Sequence, residues 1–365
     1  MSAAPEIVPP TSEAEDLPAP PRQPTSPLIK VAAALVIAAT SWFLLKEFAG
    51  LLRPLLMAVF LCYVIHPVYL RLRERITKPA AIAVMVGGSV GILYVLGLMV
   101  QVSVDELSED LPRLTKRAQR IGHQVREFLD DYVPWLITQP EGNTARAEQR
   151  AARLRELTKN IVNVAADALA EAVVVGFYLL FLFLEMGQFP RRVQSAFGGE
   201  RADHILTIFR NINYAIASYL RVKVKASLLL AVPVALVLWA TGVRFAVLWG
   251  VLTFLCNFIP YAGSIIAVSL PLLFALLQLE PGWQPVAAVL GVVAIHVVMT
   301  YVVEPTLVGK GVGLSPLIIL VALTFWGACW GLVGMFLAVP LTVMLKIVLE
   351  NIPSTRAFTR LLIDE

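Results

Sequence analysis

Two stretches of this 365-residue chain are apolar over more residues than one membrane crossing needs, and both are broken by proline and glycine. The first, residues 245–279, is interrupted at Ile259-Pro260-Tyr261-Ala262-Gly263 and again at Pro271. A straight helix over it would measure about 50 Å, against a hydrocarbon core of about 30 Å. The second, residues 314–349, carries Gly327, Gly331, Gly334 and Pro340. Each run is therefore either a hairpin that dips in and out or one tilted helix broken near its middle. A break in lipid frees backbone N–H and C=O groups that cost several kcal/mol if unpaired, so it must be buried or face water. Paired interrupted helices point to a transport site, because half-helix ends and unwound carbonyls can hold a solute.

The rest of the chain agrees with a membrane solvent. Apolar residues make up 58% and charged residues 15%, far from the balance of a water-soluble domain. Further apolar segments fall at 28–45, 51–69, 79–102, 172–189, 226–241 and 285–303. The predicted fold is all-α, a polytopic bundle with spans one to three within 28–103 and a transmembrane core over 172–351. The net charge of +4 lies in short loops beside spans, which is a signature of orientation and not of nucleic-acid binding. Arg71, Arg73, Arg75 and Lys78 face one Glu74 in the densest such loop, so that loop belongs in the cytoplasm. Two crossings separate it from the amino terminus, which is then cytoplasmic too. The carboxyl-terminal tail, 352–365, shares that side. Residues 1–27 hold eight prolines and four acidic residues, the composition of a disordered tail.

Two polar segments interrupt the spans. Over 104–171 apolar residues recur in alternating steps of four and three, from Leu107 to Tyr132, and Pro134, Pro140 and Gly142 mark a turn. An extracytoplasmic helical hairpin is the simplest outcome, with Asp110 as the N-cap of a helix separate from the third span. Its seam serves either its own packing or a subunit contact. Over 190–225, Ile205, Ile208, Ile212, Ala215 and Tyr219 form one stripe opposite Arg201, Arg210 and Arg221. This predicts a cytoplasmic amphipathic helix in the headgroup plane or under the bundle.

Ionisable groups near the spans are few: Glu185, His296, Glu304, Lys310 and Lys346. Charge is costly there, so each asks for a purpose. Glu304 can act as an interfacial cap, pair with Lys310, or carry a proton. His296, two turns earlier, is either a hydrogen-bonded packing residue or a proton carrier. Asn257 and Tyr261 offer neutral hydrogen bonds beside the Pro260 break. Trp249-Gly250 before Pro260 and Trp330-Gly331 before Pro340 suggest two distant copies of one element. Cys62, Cys256 and Cys329 have no metal-ligand spacing, and no Walker, HExxH, GxSxG or CxxC motif occurs, which argues against an enzyme, a metal or a bound cofactor.

The motif Asn257-Phe258-Ile259-Pro260-Tyr261-Ala262-Gly263 is followed by Val303-Glu304-Pro305-Thr306-Leu307-Val308-Gly309-Lys310, by Gly313-Leu314-Ser315-Pro316, and by Gly331 to Pro340 with Lys346. In that order they resemble the autoinducer-2 exporter family of bacterial permeases, over about residues 30–350. Ser264 departs from the family pattern, which often has a second proline or a bulky residue there. The resemblance implies ATP-independent export of a small quorum-sensing signal or related polar metabolite. It also implies a homo-oligomer, as a pentamer, in the bacterial inner membrane. Some relatives look like sodium or lithium/proton antiporters, a role that here would use Glu304, His296 or Glu185. A structural or regulatory membrane protein, with the 104–171 hairpin as its partner surface, is the third reading. The candidate pathway residues are Asn257, Pro260, Tyr261, Gly263, His296, Glu304, Pro305, Gly309, Lys310, Gly331, Gly334 and Pro340. The expected partners are a small polar solute, coupled H+ or Na+, and membrane lipid.

Overall fold

The computed structural model describes residues 27–132, 170–308 and 314–351, and among these every regular element is helical. Helices that are apolar on all sides suit lipid, since they pair their own backbone groups and bury none of them unpaired. α1 (Pro27–Glu47) lies up to Leu45 in a unit of its own, and the chain from Lys46 forms a second compact unit.

In that second unit α2 (Ala49–Arg73) closes with Arg71 and Arg73, cations placed at the negative end of the helix dipole. α3 (Lys78–Tyr132) runs 55 residues. Its portion Lys78–Ser103 is long and apolar enough to cross a membrane. The helix restart expected at Asp110 does not occur. The Asp110 carboxylate caps nothing and instead accepts a hydrogen bond from Arg244, which also pairs with Glu106 at 3.4 Å. The span thus continues directly into the first arm of the expected 104–171 hairpin, whose second arm lies outside the described residues.

α4 (Ala170–Glu185) bends by 62° into α5 (Phe189–Phe197), which ends at Gly198 with φ +60°. α6 (Gly199–Ala240) then runs 42 residues. The separate amphipathic segment expected over 190–225 is therefore divided. α5 holds its start, and the rest is continuous with the fifth span, since no helix breaker lies between Gly199 and Pro233. α6 is the central post, with Leu230, Val234 and Leu238 in the core shared with the helices that follow.

Both long apolar runs are helical hairpins. α7 (Ala246–Cys256) and α8 (Ala262–Gln278) lie side by side. Their outer ends are tied together, with Arg244 N donating to Gln278 Oε1 at 2.8 Å and Gln278 Nε2 donating to Gly242 O at 3.1 Å. The chain thus enters and leaves this hairpin at one end. The α3 arm closes over that end, where Arg117 donates to the carbonyls of Gln278 and Leu279 and to Glu280. α9 (Trp283–Val298), a π-turn (Met299–Val303) and α10 (Glu304–Val308) carry the chain to the opposite end.

α11 (Pro316–Glu350) starts there, with Ser315 Oγ accepting from Ile318 N as N-cap. Gly331, at φ +64° and ψ −139°, folds the helix back on itself. Trp326 Nε1 reaches Thr342 Oγ1 at 3.2 Å, although 16 residues of straight helix would separate them by about 24 Å. Leu314 likewise packs with Val339 and Val343 on the returning arm.

The two hairpins enter from opposite ends and meet at their turns. Phe258 is fully buried at the α7–α8 turn and stacks on Phe336 of α11 with ring centroids 4.6 Å apart. Phe60 of α2 contacts both rings edge-on, at 5.7 and 4.8 Å. The tryptophan–glycine spacing proves not to be the repeat. Gly331 forms a turn, whereas Gly250 sits mid-helix against Ala235. The matching positions are Gly263 and Gly334. A Cβ at either would overlap a backbone carbonyl oxygen, that of Cys256 and that of Trp326 respectively.

Gly263→Ala and Gly334→Ala are each expected to destabilise the protein by about 2 kcal/mol or more, because the obstructing atoms are backbone. Gly88→Ala, which meets open space, is the control. Thermal unfolding in detergent checks this, and equal midpoints for all three variants would contradict the hairpin geometry.

Candidate functional site

A cleft of about 630 Å³ lies where α6, both hairpins and the π-turn converge, a size suited to a small-molecule site. α6 supplies one wall. Ala215, Tyr219 and Lys223 recur in steps of four, with Ser218 and Val222 beside them, so all five share a helix face. Pro260 projects from the α7–α8 turn, and Ile319 and Val339 come from the two arms of α11. Thr300, Glu304 and Pro305 form the opposite wall.

The π-turn sets that wall. Pro305 lacks an N–H, and in a regular helix its ring would crowd the carbonyl four residues earlier. Over Met299–Val303 the ladder slips to the wider register, with Glu304 N donating to Met299 O. The slip rotates Glu304 toward α6, where Lys223 Nζ donates to its Oε1 at 2.9 Å. The Lys223 side chain is 13% exposed and that of Glu304 32%, so the pair is shielded without being sealed. Removing either partner would strand the other charge, which costs far more than losing an exposed pair. Glu304 thus pairs with a residue 81 positions earlier; Lys310, its alternative partner by nearness in sequence, and Gly309 lie outside the described residues.

At the floor, Ala262 N donates to Pro260 O at 2.7 Å, closing a three-residue γ-turn around Tyr261. Tyr261 has φ +61° and ψ −67°, a region that L-residues rarely adopt, with a strain of about 1–3 kcal/mol. It is half exposed beside the cleft residue Pro260. Strain of this kind persists only where surroundings enforce it, here the buried Phe258 and Ile259 on one side and Gly263 on the other.

The structure brings Pro260, Glu304 and Pro305 together in the cleft, with buried Pro340 next to the lining residue Val339. Gly263, Gly331 and Gly334 make the hairpin turns and do not line this cleft. Asn257 is buried behind the floor, its Nδ2 donating to Ser227 Oγ of α6 at 2.9 Å, which anchors the α7–α8 turn. His296 is buried on α9 and does not line the cleft, and its Nε2 has no hydrogen-bond partner among the described residues. Glu185 pairs with Arg192 at 3.3 Å on the other side of α6, and Lys346 lies 3.9 Å from Glu350. Among the described residues no group of His, Cys, Asp or Glu could hold a metal ion.

Lys223, Ser218, Tyr219 and Thr300 were not among the residues singled out as pathway candidates. A signal for the lysine exists: the apolar stripe through Ala215 and Tyr219, extended by one more step of four, reaches Lys223 at the edge of an apolar run. Among the described residues the cleft therefore offers hydroxyls, one cation and one anion between apolar walls.

AI-2 transport protein TqsA of Escherichia coli K12 is 27% identical over 328 residues, covering 87% of this chain and 90% of TqsA. YhhT of the same strain is 27% identical over 325 residues, covering 89% and 90%. YrrI of Bacillus subtilis 168 is 23% identical over 317 residues, covering 84% and 87%. The AI-2E family transporter model matches residues 31–354, and the chain belongs to that family of membrane transporters.

Proposed function

We propose that the protein exports small, mostly neutral polar molecules without ATP hydrolysis, AI-2 or a related metabolite among them, through the cleft around Lys223 and Glu304. The observation that carries this reading is the convergence of two opposed hairpins on that one polar cleft. Interrupted helices from opposite ends give a transporter a fixed central site with a separate gate toward each side. Ser218, Tyr219 and Thr300 can replace the water around a hydroxylated solute, and the ion pair accepts and donates without presenting net charge. TqsA, by its name a transporter of AI-2, supports the substrate class.

In the orientation favoured by the basic loop after α2, the α7–α8 hairpin opens to the outside and α11 to the cytoplasm, in the bacterial inner membrane. Both termini are cytoplasmic, and the functional unit is a homo-oligomer. Net flow outward then follows from the gradient of a metabolite made inside. Cation/proton antiport is the second reading, favoured by one specific observation: the cleft wall carries a carboxylate, Glu304, whose one charged partner among the described residues is Lys223.

Efflux of labelled AI-2 from loaded proteoliposomes tests the assignment. Lys223→Met and Glu304→Gln are expected to slow it about tenfold or more, the scale of one lost charged contact, and the exchanged pair Lys223→Glu with Glu304→Lys to recover part of the rate. Wild-type efflux in both single variants would overturn the cleft as the pathway. Sodium-driven proton movement that is lost in Glu304→Gln, with no AI-2 efflux in the wild type, would favour the second reading instead. Reporter fusions at residues 26 and 352 are expected to mark both as cytoplasmic, and an external carboxyl terminus would reverse the two gates.

A further inference from the structure

Between α6 and the helices α2, α4 and α5 lies a second cavity of about 570 Å³, which shares Tyr214 with the cleft. Its interior is apolar, with Val59, Leu182, Met186 and Phe209 among its walls. Among its polar groups the Tyr63 hydroxyl donates to Asn213 Oδ1, and His66 also lines the wall. An interior lined mostly by apolar side chains suits hydrocarbon better than a polar solute. The mouth is different. Glu185 and Arg192 line it as a forked pair, Arg192 Nη2 to Glu185 Oε1 at 3.3 Å and Nη1 to Oε2 at 3.4 Å. Both side chains are more than half exposed. They stand at the 62° bend between α4 and α5, where a short helix with Arg191 and Arg192 beside buried Val193 turns off the α4 axis. A short amphipathic helix turned in this way lies at the level of lipid headgroups.

We propose that this cavity binds one zwitterionic phospholipid, with an acyl chain between α2, α4 and α6 and the headgroup at Glu185 and Arg192. Charge complementarity selects the class. The guanidinium takes the phosphate through two of its N–H groups, and the carboxylate takes a primary ammonium. An anionic headgroup would meet Glu185 with no cation of its own to offer it. A choline headgroup carries the charge but no N–H to donate, so phosphatidylethanolamine fits best. The exposed Glu185–Arg192 pair yields its partners to the headgroup at little cost.

The test uses the full-length protein, purified in detergent, delipidated, and titrated with defined lipids by native mass spectrometry. Phosphatidylethanolamine is expected to bind at one site per chain, more tightly than phosphatidylcholine or phosphatidylglycerol. Removing both headgroup contacts, Glu185→Ala with Arg192→Ala, is expected to weaken it about tenfold, the scale of one to two charge-assisted contacts. Ala217→Phe fills the cavity from α6 and is expected to abolish the site while thermal unfolding shows the protein folded. Soluble glycerophosphoethanolamine, a headgroup without chains, is expected not to compete. Equal binding of phosphatidylglycerol, competition by the free headgroup, or undiminished binding in the double variant and in Ala217→Phe would each overturn the proposal. If Ala217→Phe fails to fold, the double variant, altered only at exposed side chains, decides alone.

Discussion

A backbone amide in an apolar interior needs a partner, and that constraint shapes the places where this bundle departs from continuous helix. At the α7–α8 turn the groups released from the helix are taken up within a few residues: Ile259 N by Cys256 O, Ala262 N by Pro260 O, and Gly263 N by Ile259 O. Packing the chain this tightly requires a glycine against the Cys256 carbonyl and drives Tyr261 into a strained turn. Phe258 then fills the space around the turn, and its stack on Phe336 ties one hairpin to the other. Because this turn is satisfied locally, the α7–α8 hairpin needs no lipid-exposed irregular backbone, and its tip is available to form the cleft.

The Lys223–Glu304 pair depends on that scaffold. It exists because a π-turn, itself forced by Pro305, aims the carboxylate at α6. Half-buried ion pairs contribute little net stability, since desolvation offsets much of the attraction. The better account of its presence is specificity and switching. A solute that hydrogen-bonds to both groups substitutes for the pair, whereas an ion of either sign leaves one partner unmatched. The long polar arm of α3 bears on the opposite end of the site. Through Arg117, and through Arg244 held by Asp110 and Glu106, it fixes the open end of α7–α8, so motion of that hairpin and motion of the arm are mechanically joined.

The membrane class, the all-helical fold and the two broken runs were legible in the sequence because each rests on local apolar content and on proline and glycine. The choice between hairpin and broken span was not, because it is decided by contacts such as Trp326 with Thr342 that no local pattern encodes. Helix boundaries at Asp110 and near residue 225 were misplaced for the same reason. Asp110 resembles a cap until Arg244 is seen beside it, and Lys223 resembles the end of a cytoplasmic helix until Glu304 is. Of the pathway candidates, Pro260, Glu304 and Pro305 line the cleft, and helix-break chemistry singled them out. Gly263, Gly331 and Gly334 came from the same signal but serve the turns, since a break marks both the site and the residues that build it.

Accessibility of the cleft to a solute is the most direct measurement of the central claim. In a background with Cys62, Cys256 and Cys329 replaced, Ser218→Cys and Thr300→Cys would be probed with a membrane-impermeant thiol reagent, using the buried core position Val234→Cys as reference. The two cleft positions are predicted to label while Val234→Cys does not, and excess transported solute to protect both. Failure of both to label, or labelling that the solute leaves unchanged while efflux continues, would contradict a pathway through this cleft.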